Sequence, residues 1–379
     1  MKEIILFCYG DSADASTWSN VPYLMSQSLI DKGILLHRVD LSPNGLFERI
    51  ANRLLRPFRL GKLYSYIRTP LFRLLTELKI RHAVNSHPSA DFCIFLNFDF
   101  YNRFSSIPSL VFSDWTFKIL SEREGFLPSR AEQGFIDWQA HIINNATIVL
   151  PLFSESAVIM KASYPQANIH VLPGNVINRI DPIPLGSPDE IIARKLRHDT
   201  ILFIGRDAYI EGLKTLIDAA SLLARRPHIH VIGMSADQMS DAPDFVTFHG
   251  FLRKNDTDEN RLYYSLLRDA RLIVNPTPRW AGYSSIIEAM YYYTPVVVTP
   301  FTQFVKEFAP DIDFGCYVSP EESAAELADT IHKILSLPPT DYRTMALNAH
   351  ARVHTYTWDT YTDSMLSLMS GYLSSGHGS

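Results

Sequence analysis

Arg206 follows Gly205 at the end of the apolar run Thr200-Ile-Leu-Phe-Ile204, so it projects from the carboxyl end of a strand. An arginine placed there can hold two phosphate oxygens at once, and it is equally compatible with a plain exposed loop. A second group lies in Asn275-Pro-Thr-Pro-Arg-Trp280-Ala-Gly-Tyr283-Ser284-Ser285-Ile-Ile-Glu288. A strand ends near Val274 and a helix begins near Ser285, where backbone N–H groups form a ready anion site. One turn in, Glu288 can accept hydrogen bonds from a diol such as ribose. The same Ser285-x-x-Glu288 spacing is also that of a capping box, which would only satisfy the helix's own amides. A third candidate, Asp114 in Val111-Phe-Ser-Asp114-Trp115, ends another strand. It reads either as a polar group facing a ligand or as the N-cap of a helix over Trp115–Leu120.

The elements that carry these residues alternate. The run Ile4–Tyr9, a helical pattern through Val21, Leu24, Met25, Leu29 and Ile30, and the run Ile34–Asp40 predict a β-α-β unit of a parallel sheet. Further strands are expected at Phe92–Leu96, Leu110–Phe112 and Thr147–Leu152. A breaker-rich stretch from Pro173 to Pro188 reads as an interdomain linker. Strands restart at Thr200–Ile204, His228–Ile232, Val246–Phe248, Leu272–Val274 and Val296–Thr299, with helices at Leu213–Leu223, Tyr263–Leu267, Ile286–Tyr293 and Ala324–Leu335. The expected class is α/β, with two Rossmann-like doubly wound domains at 1–178 and 186–355. A last helix and flexible tail at 356–379 are expected to cross back to the first domain.

The 379 residues are 46% hydrophobic and 20% charged, an ordinary globular balance. The net charge of -5 gives no reason to expect a nucleic-acid partner. Cys8, Cys93 and Cys316 are far apart and fit neither a disulfide scaffold nor a zinc site, so a soluble, reducing, cytoplasmic setting is expected.

Residues from about 200 to 335 resemble the C-terminal domain of retaining GT-B glycosyltransferases of the family 4 type, the glycosyl transferases group 1. The ordered series carries the resemblance: Gly205-Arg206 with Glu211-Gly212, Val231-Ile-Gly233, Phe248-His-Gly250-Phe251-Leu252, Ala270 to Thr277, then Glu288-Ala-Met and Thr294-Pro-Val-Val-Val. It implies a GT-B fold with a central cleft and transfer of a sugar from a nucleotide-diphosphate donor, with retention. By the same resemblance Arg206 grips the donor diphosphate, and Gly205 ends the strand before it. Gly250, Phe251 and Leu252 read the base, Tyr283, Ser284 and Ser285 offer amides to phosphate, and Glu288 holds the ribose. Gly10 falls where relatives place a glycine loop under the phosphates; Ser16 and Thr17 beside it read as helix caps. Asp114 falls where many relatives carry a histidine beside the donor sugar. Helix amides can take the place of a divalent cation at the phosphates, so neither a metal nor another cofactor is expected.

Two positions depart from the family pattern. Trp280 replaces the first acid of the Glu-x7-Glu element and can only stack on a sugar; Glu211 replaces a basic partner of the arginine, with Lys214 nearby. A non-catalytic nucleotide-sugar-binding subunit and a GT-B nucleotide-sugar isomerase therefore remain open beside a transferase. Between Glu48 and His82 stand Arg49, Arg53, Arg56, Arg59, Lys62, Arg68, Arg73, Lys79 and Arg81, interleaved with Leu, Phe and Tyr. Such a stretch suits an anionic membrane surface and a glycan or lipid-linked acceptor in surface-polysaccharide synthesis, or else packed helices with basic outer faces.

Overall fold

Short apolar runs bounded by breakers become strands, and most of the inner ones are buried on both faces, as helices on each side of a parallel sheet require. The computed structural model describes the chain except residues 59, 173–174, 240, 278–282, 320–322 and 376–379, and divides it into two units, Met1–Asn175 with Trp358–Ser379, and Val176–Thr357.

The first unit holds β1 (Glu3–Cys8), α1 (Val21–Asp31), β2 (Leu35–Asp40), α2 (Gly45–Leu55), α3 (Pro70–Ser86), β3 (Phe92–Phe95) and β4 (Ser109–Ser113). It continues with α4 (Phe117–Arg123), α5 (Arg130–Asn145), β5 (Ile148–Pro151) and α6 (Ser154–Ser163). Its five strands are parallel in the order β2-β1-β3-β4-β5. The chain reverses direction across the sheet between β1 and β3, and ligands of such sheets bind beyond the carboxyl ends at that point.

The second unit holds α7 (Pro188–Lys195), β6 (Thr200–Ile204), α8 (Ile210–Leu222), β7 (His228–Ile232), β8 (Val246–Phe248), α9 (Thr257–Asp269) and β9 (Leu272–Asn275). After these come α10 (Ser284–Tyr291), β10 (Val296–Val298), α11 (Thr302–Phe308), β11 (Gly315–Tyr317), α12 (Ala324–Leu335) and α13 (Pro339–Val353). The strand order β11-β10-β9-β6-β7-β8 puts the reversal between β6 and β9. The last helix, α14 (Trp358–Ser374), belongs to the first unit. There Ser28 Oγ lies 2.6 Å from Thr362 Oγ1, and Lys32 pairs with Asp359 and Asp363. No helix among the described residues is long and apolar enough to cross a membrane.

Three Ser-x-x-Glu sequences set helix starts. Ser129 with Glu132, Ser187 with Glu190 and Ser323 with Glu326 each close a capping box.

A histidine cluster on β7 and β8 gives the second unit an acid-sensitive element. His230 Nδ1 lies 3.0 Å from His249 Nε2, and the His228 ring is 4.7 Å from that of His230. Burial and the neighbouring imidazoles push His230 down to about 4, and burial pushes His249 down as well. An unfolded histidine takes its proton near 6.5, so between about 6.5 and 4 the unfolded state binds more protons than the native one. Stability therefore falls as pH falls through that window. The urea midpoint should be lower at pH 4.5 than at pH 7, and His230→Gln should shrink the difference; an equal difference in the variant would contradict this origin.

Candidate functional site

In the second unit the ends of β6, β7 and β8 are tied together by their backbones. Gly205 N–H donates to Ile232 O at 3.0 Å, Gly233 N–H to Gly250 O at 2.7 Å and Gly250 N–H to Met234 O at 3.0 Å. A Cβ on Gly233 would stand 2.5 Å from Gly205 O, at a φ of +99°, so only glycine fits. This knot presents Arg206 at the sheet's reversal point. Its guanidinium lies 5.1 Å from the ring centre of exposed Phe251, and among the described residues no carboxylate pairs with it. Leu252 is buried and anchors the segment. Glu211 does not confront Arg206 as a buried acid. It is exposed on α8 and pairs with Lys214 at 2.9 Å, so neither residue is held at the site. Gly212, one residue on, packs so close to Thr277 after β9 that a Cβ would meet Thr277 Oγ1 at 2.3 Å.

The helix α10 begins at Ser284, one residue earlier than expected, and its N-cap residue Tyr283 makes no side-chain cap. Tyr283 precedes it, buried with its ring edge toward Phe304 and Phe308. Ser284 is exposed and Ser285 half-buried. The capping-box alternative for Ser285 and Glu288 is not realised. Glu288 turns inward, buried, and accepts from Lys254 Nζ at 2.7 and 2.8 Å, Tyr263 OH at 2.8 Å and Tyr264 OH at 3.3 Å. Lys254 also donates to Asn178 O at 2.7 Å. Burial first, and the carboxylate second, push both tyrosines well above their ordinary value. Glu288 thus has its own cation where the sequence offered a ribose or a helix cap. Lys254 was not legible as its partner, since it sits 34 residues earlier in an unremarkable polar loop. Trp280 lies outside the described residues.

In the first unit a cavity of about 470 Å³ opens at the β1/β3 reversal, walled by Tyr9, Trp18, Asn97, Asp99, Asp114 and Trp115 among others. Asp114 does not cap a helix. Thr116 caps α4 instead, accepting from Ile119 N–H, while Asp114 Oδ1 accepts from Trp115 N–H at 2.9 Å. Asp99 accepts from Gln139 Nε2 at 2.7 Å and Tyr9 OH at 2.9 Å, and burial pushes its carboxyl up. Arg68 Nε, Asn97 Nδ2 and Trp115 Nε1 are buried donors without a partner among the described residues, and all three residues line this cavity. Buried donors normally find acceptors, so a group of orphans around one cavity fits an oxygen-rich ligand. Asn97 and Asp99 directly follow the run Phe92–Leu96, a polar pair at a strand end that carried a signal the sequence reading did not use.

Gly10 ends β1 at a φ of +93° and donates to Asp40 Oδ1 at 2.9 Å; it does not line the cavity. The capping roles expected for Ser16 and Thr17 fail. Asn20 stands at the start of α1, while Ser16 Oγ bonds Asp14 and Thr17 Oγ1 bonds Asp11 O. Trp18, Ser19 and Asn20 all take positive φ, so the loop is strained as it passes the cavity.

Residues 198–337 match the family described as Glycosyl transferases group 1. No curated protein matches the chain in sequence. Among solved structures, sucrose-phosphate synthase from Thermosynechococcus elongatus superposes with a TM-score of 0.65 at 18% identity, over 99% of this chain and 100% of that one. WaaG, a glycosyltransferase involved in lipopolysaccharide biosynthesis, gives 0.63 at 16%, over 98% and 100%. Anabaena Alr3699/HepE in complex with UDP-glucose gives 0.61 at 18%, over 97% and 99%. These likenesses establish the GT-B fold.

Proposed function

We propose that this chain, in which residues 198–337 match the family Glycosyl transferases group 1 and whose fold is GT-B, is a glycosyltransferase that moves a sugar from a nucleotide diphosphate to a lipid-linked or surface-glycan acceptor, with retention. The observation that carries the donor half is Arg206, exposed and free of any carboxylate among the described residues at the β6/β9 reversal. An arginine so placed meets the charge that builds on the departing diphosphate, and the start of α10, to which Tyr283 gives no side-chain cap, supplies amides on the same unit. That scheme calls for no metal or other cofactor. HepE holds UDP-glucose and WaaG works in lipopolysaccharide biosynthesis, which supports a nucleotide-sugar donor and a glycan acceptor here. The first unit's cavity, with Asp114, Asp99 and its orphan donors, suits the hydroxyl groups of an acceptor sugar. Incubation with a panel of nucleotide sugars should release free nucleoside diphosphate from one of them. Binding without release across the panel would point to the non-catalytic reading.

The membrane half of the proposal rests on α2 and α3. No residue of α2 is buried, and Leu46, Phe47, Ile50 and Leu54 form one exposed apolar face. α3 buries Phe72, Thr76 and Ile80, yet exposes a second stripe of Leu71, Leu74, Leu75 and Leu78. Arg49, Arg53, Arg56, Lys62, Lys79 and Arg81 are exposed on the same stretch; Arg59 lies outside the described residues. Apolar stripes flanked by cations match an anionic interface at the inner face of a membrane. The protein should float with liposomes rich in anionic lipid at low salt and be released as salt rises. Leu46→Glu with Leu54→Glu should abolish flotation; a wild type that stays with the soluble fraction would make a soluble acceptor the better reading.

A further inference from the structure

A second cavity of the first unit, about 340 Å³, lies where α3 and α5 begin. Arg68, Arg73 and Arg130 line it, and no carboxylate does. Both helices are long, and both point their first turns at it: Thr69, Pro70 and Arg73 from α3, Arg130, Ala131 and Gly134 from α5. The nearby acids are committed elsewhere. Glu132 accepts from Ser129 N–H at 2.9 Å and Leu63 N–H at 2.8 Å, Asp99 from Gln139 and Tyr9, and Asp137 from Gln133. None of the three arginines forms an ion pair among the described residues; Arg68 Nη1 donates to Leu63 O and Ser65 Oγ, while its Nε has no partner among them. Two of them are held in place by aromatic rings. Arg73 lies 4.2 Å from the Trp138 ring centre and Arg68 4.9 Å from that of Phe117.

We infer that this cavity is a phosphate-ester subsite for the acceptor. Guanidinium groups pre-oriented on aromatic faces and free of any carboxylate among the described residues lose little freedom on binding a phosphate, and the start of α3, with no acid in its first turn, adds to the same field. Arg68 and Phe135 line this cavity and also the 470 Å³ cavity that holds Asp114. A phosphate bound here would therefore lead its esterified sugar toward Asp114. On the other side Tyr64 is shared with a third cavity, lined by Leu55, Arg56 and Lys62 at the end of the exposed helix α2. The role as acceptor subsite rests on the transferase reading; the binding itself does not.

The test uses the full chain carrying Arg206→Ala, which silences the second unit's anion site. Calorimetry is run with inorganic pyrophosphate, glucose 1-phosphate and dihexanoyl phosphatidic acid. At least one should bind, and Arg130→Gln, an exposed position safe for folding, should weaken it tenfold or more. Arg73→Lys, which keeps the charge and loses the fork, should weaken it less than Arg73→Gln. Preference for the phosphatidic acid indicates a lipid phosphate, and preference for glucose 1-phosphate a soluble glycan phosphate; either supports the subsite. No binding, or equal affinities in Arg130→Gln and its parent, overturns it. With Arg206 restored, Arg130→Gln should leave donor hydrolysis intact and remove transfer. Absence of hydrolysis in the wild type would instead count against the transferase reading alone.

Discussion

Arg206→Ala is expected to lower kcat/KM for the nucleotide-sugar donor by about 10²–10³-fold, the loss seen when one donor to a developing anion is removed. Arg206 projects from the β6 end, exposed, with the Phe251 ring centre 5.1 Å from its guanidinium. Its removal leaves no buried group unsatisfied, so the melting temperature should stay at the wild-type value. The family's usual second cation is missing, since Glu211 stands in its place and pairs with Lys214 on the surface. Arg206 therefore carries more of the diphosphate charge than it would in a relative with two cations. Arg206→Lys should recover part of the rate, because a point charge remains while the two-oxygen fork is gone. A near wild-type rate in Arg206→Ala would remove the arginine from the mechanism.

The largest effect on stability is expected at Glu288. The Lys254–Glu288 pair is nearly dry, with side-chain exposures of 12% and 5%, and two tyrosine hydroxyls close around the carboxylate. Removing one member of such a pair strands a buried charge and costs about 3–5 kcal/mol. Urea unfolding of Glu288→Leu should show a loss of that size, and Lys254→Met in the same chain should restore more than half of it. Full wild-type stability in Glu288→Leu, together with weaker nucleotide affinity, would return Glu288 to the ribose-holding role the resemblance implied.

Most strands were readable because they are short apolar runs bounded by Gly, Pro or polar residues, even where, as in the edge strands β2 and β8, the strand stays partly exposed. Ile4–Phe7, Leu110–Phe112 and Val296–Val298 all become fully buried strand cores. α11 and β11 went unread, seven and three residues being too few for periodicity to speak, and α5, α6, α7 and α13 were given no bounds either. The helix caps show a different limit. Ser129, Ser187 and Ser323 cap through Ser-x-x-Glu, and Ser285 with the same spacing does not. The deciding partner is Lys254, distant in sequence, which draws Glu288 into the interior. Asp114 was likewise displaced as a cap by Thr116, two residues on. Arg206 and its strand end were legible since a single local pattern places them. The orphan donors Arg68 Nε, Asn97 Nδ2 and Trp115 Nε1 were not, since only the folded first unit brings three separate segments to one cavity.

The most direct measurement follows the sugar. The full chain is mixed with anomerically labelled nucleotide sugars and liposomes carrying a bacterial lipid extract, and the anomeric signal is followed by NMR. The account predicts that one donor is consumed, that nucleoside diphosphate accumulates in step, and that the labelled sugar reappears as a glycoside of the same anomeric configuration in the lipid or glycan fraction. Conversion of the donor into a second nucleotide sugar, or a donor that binds and stays intact, would contradict it.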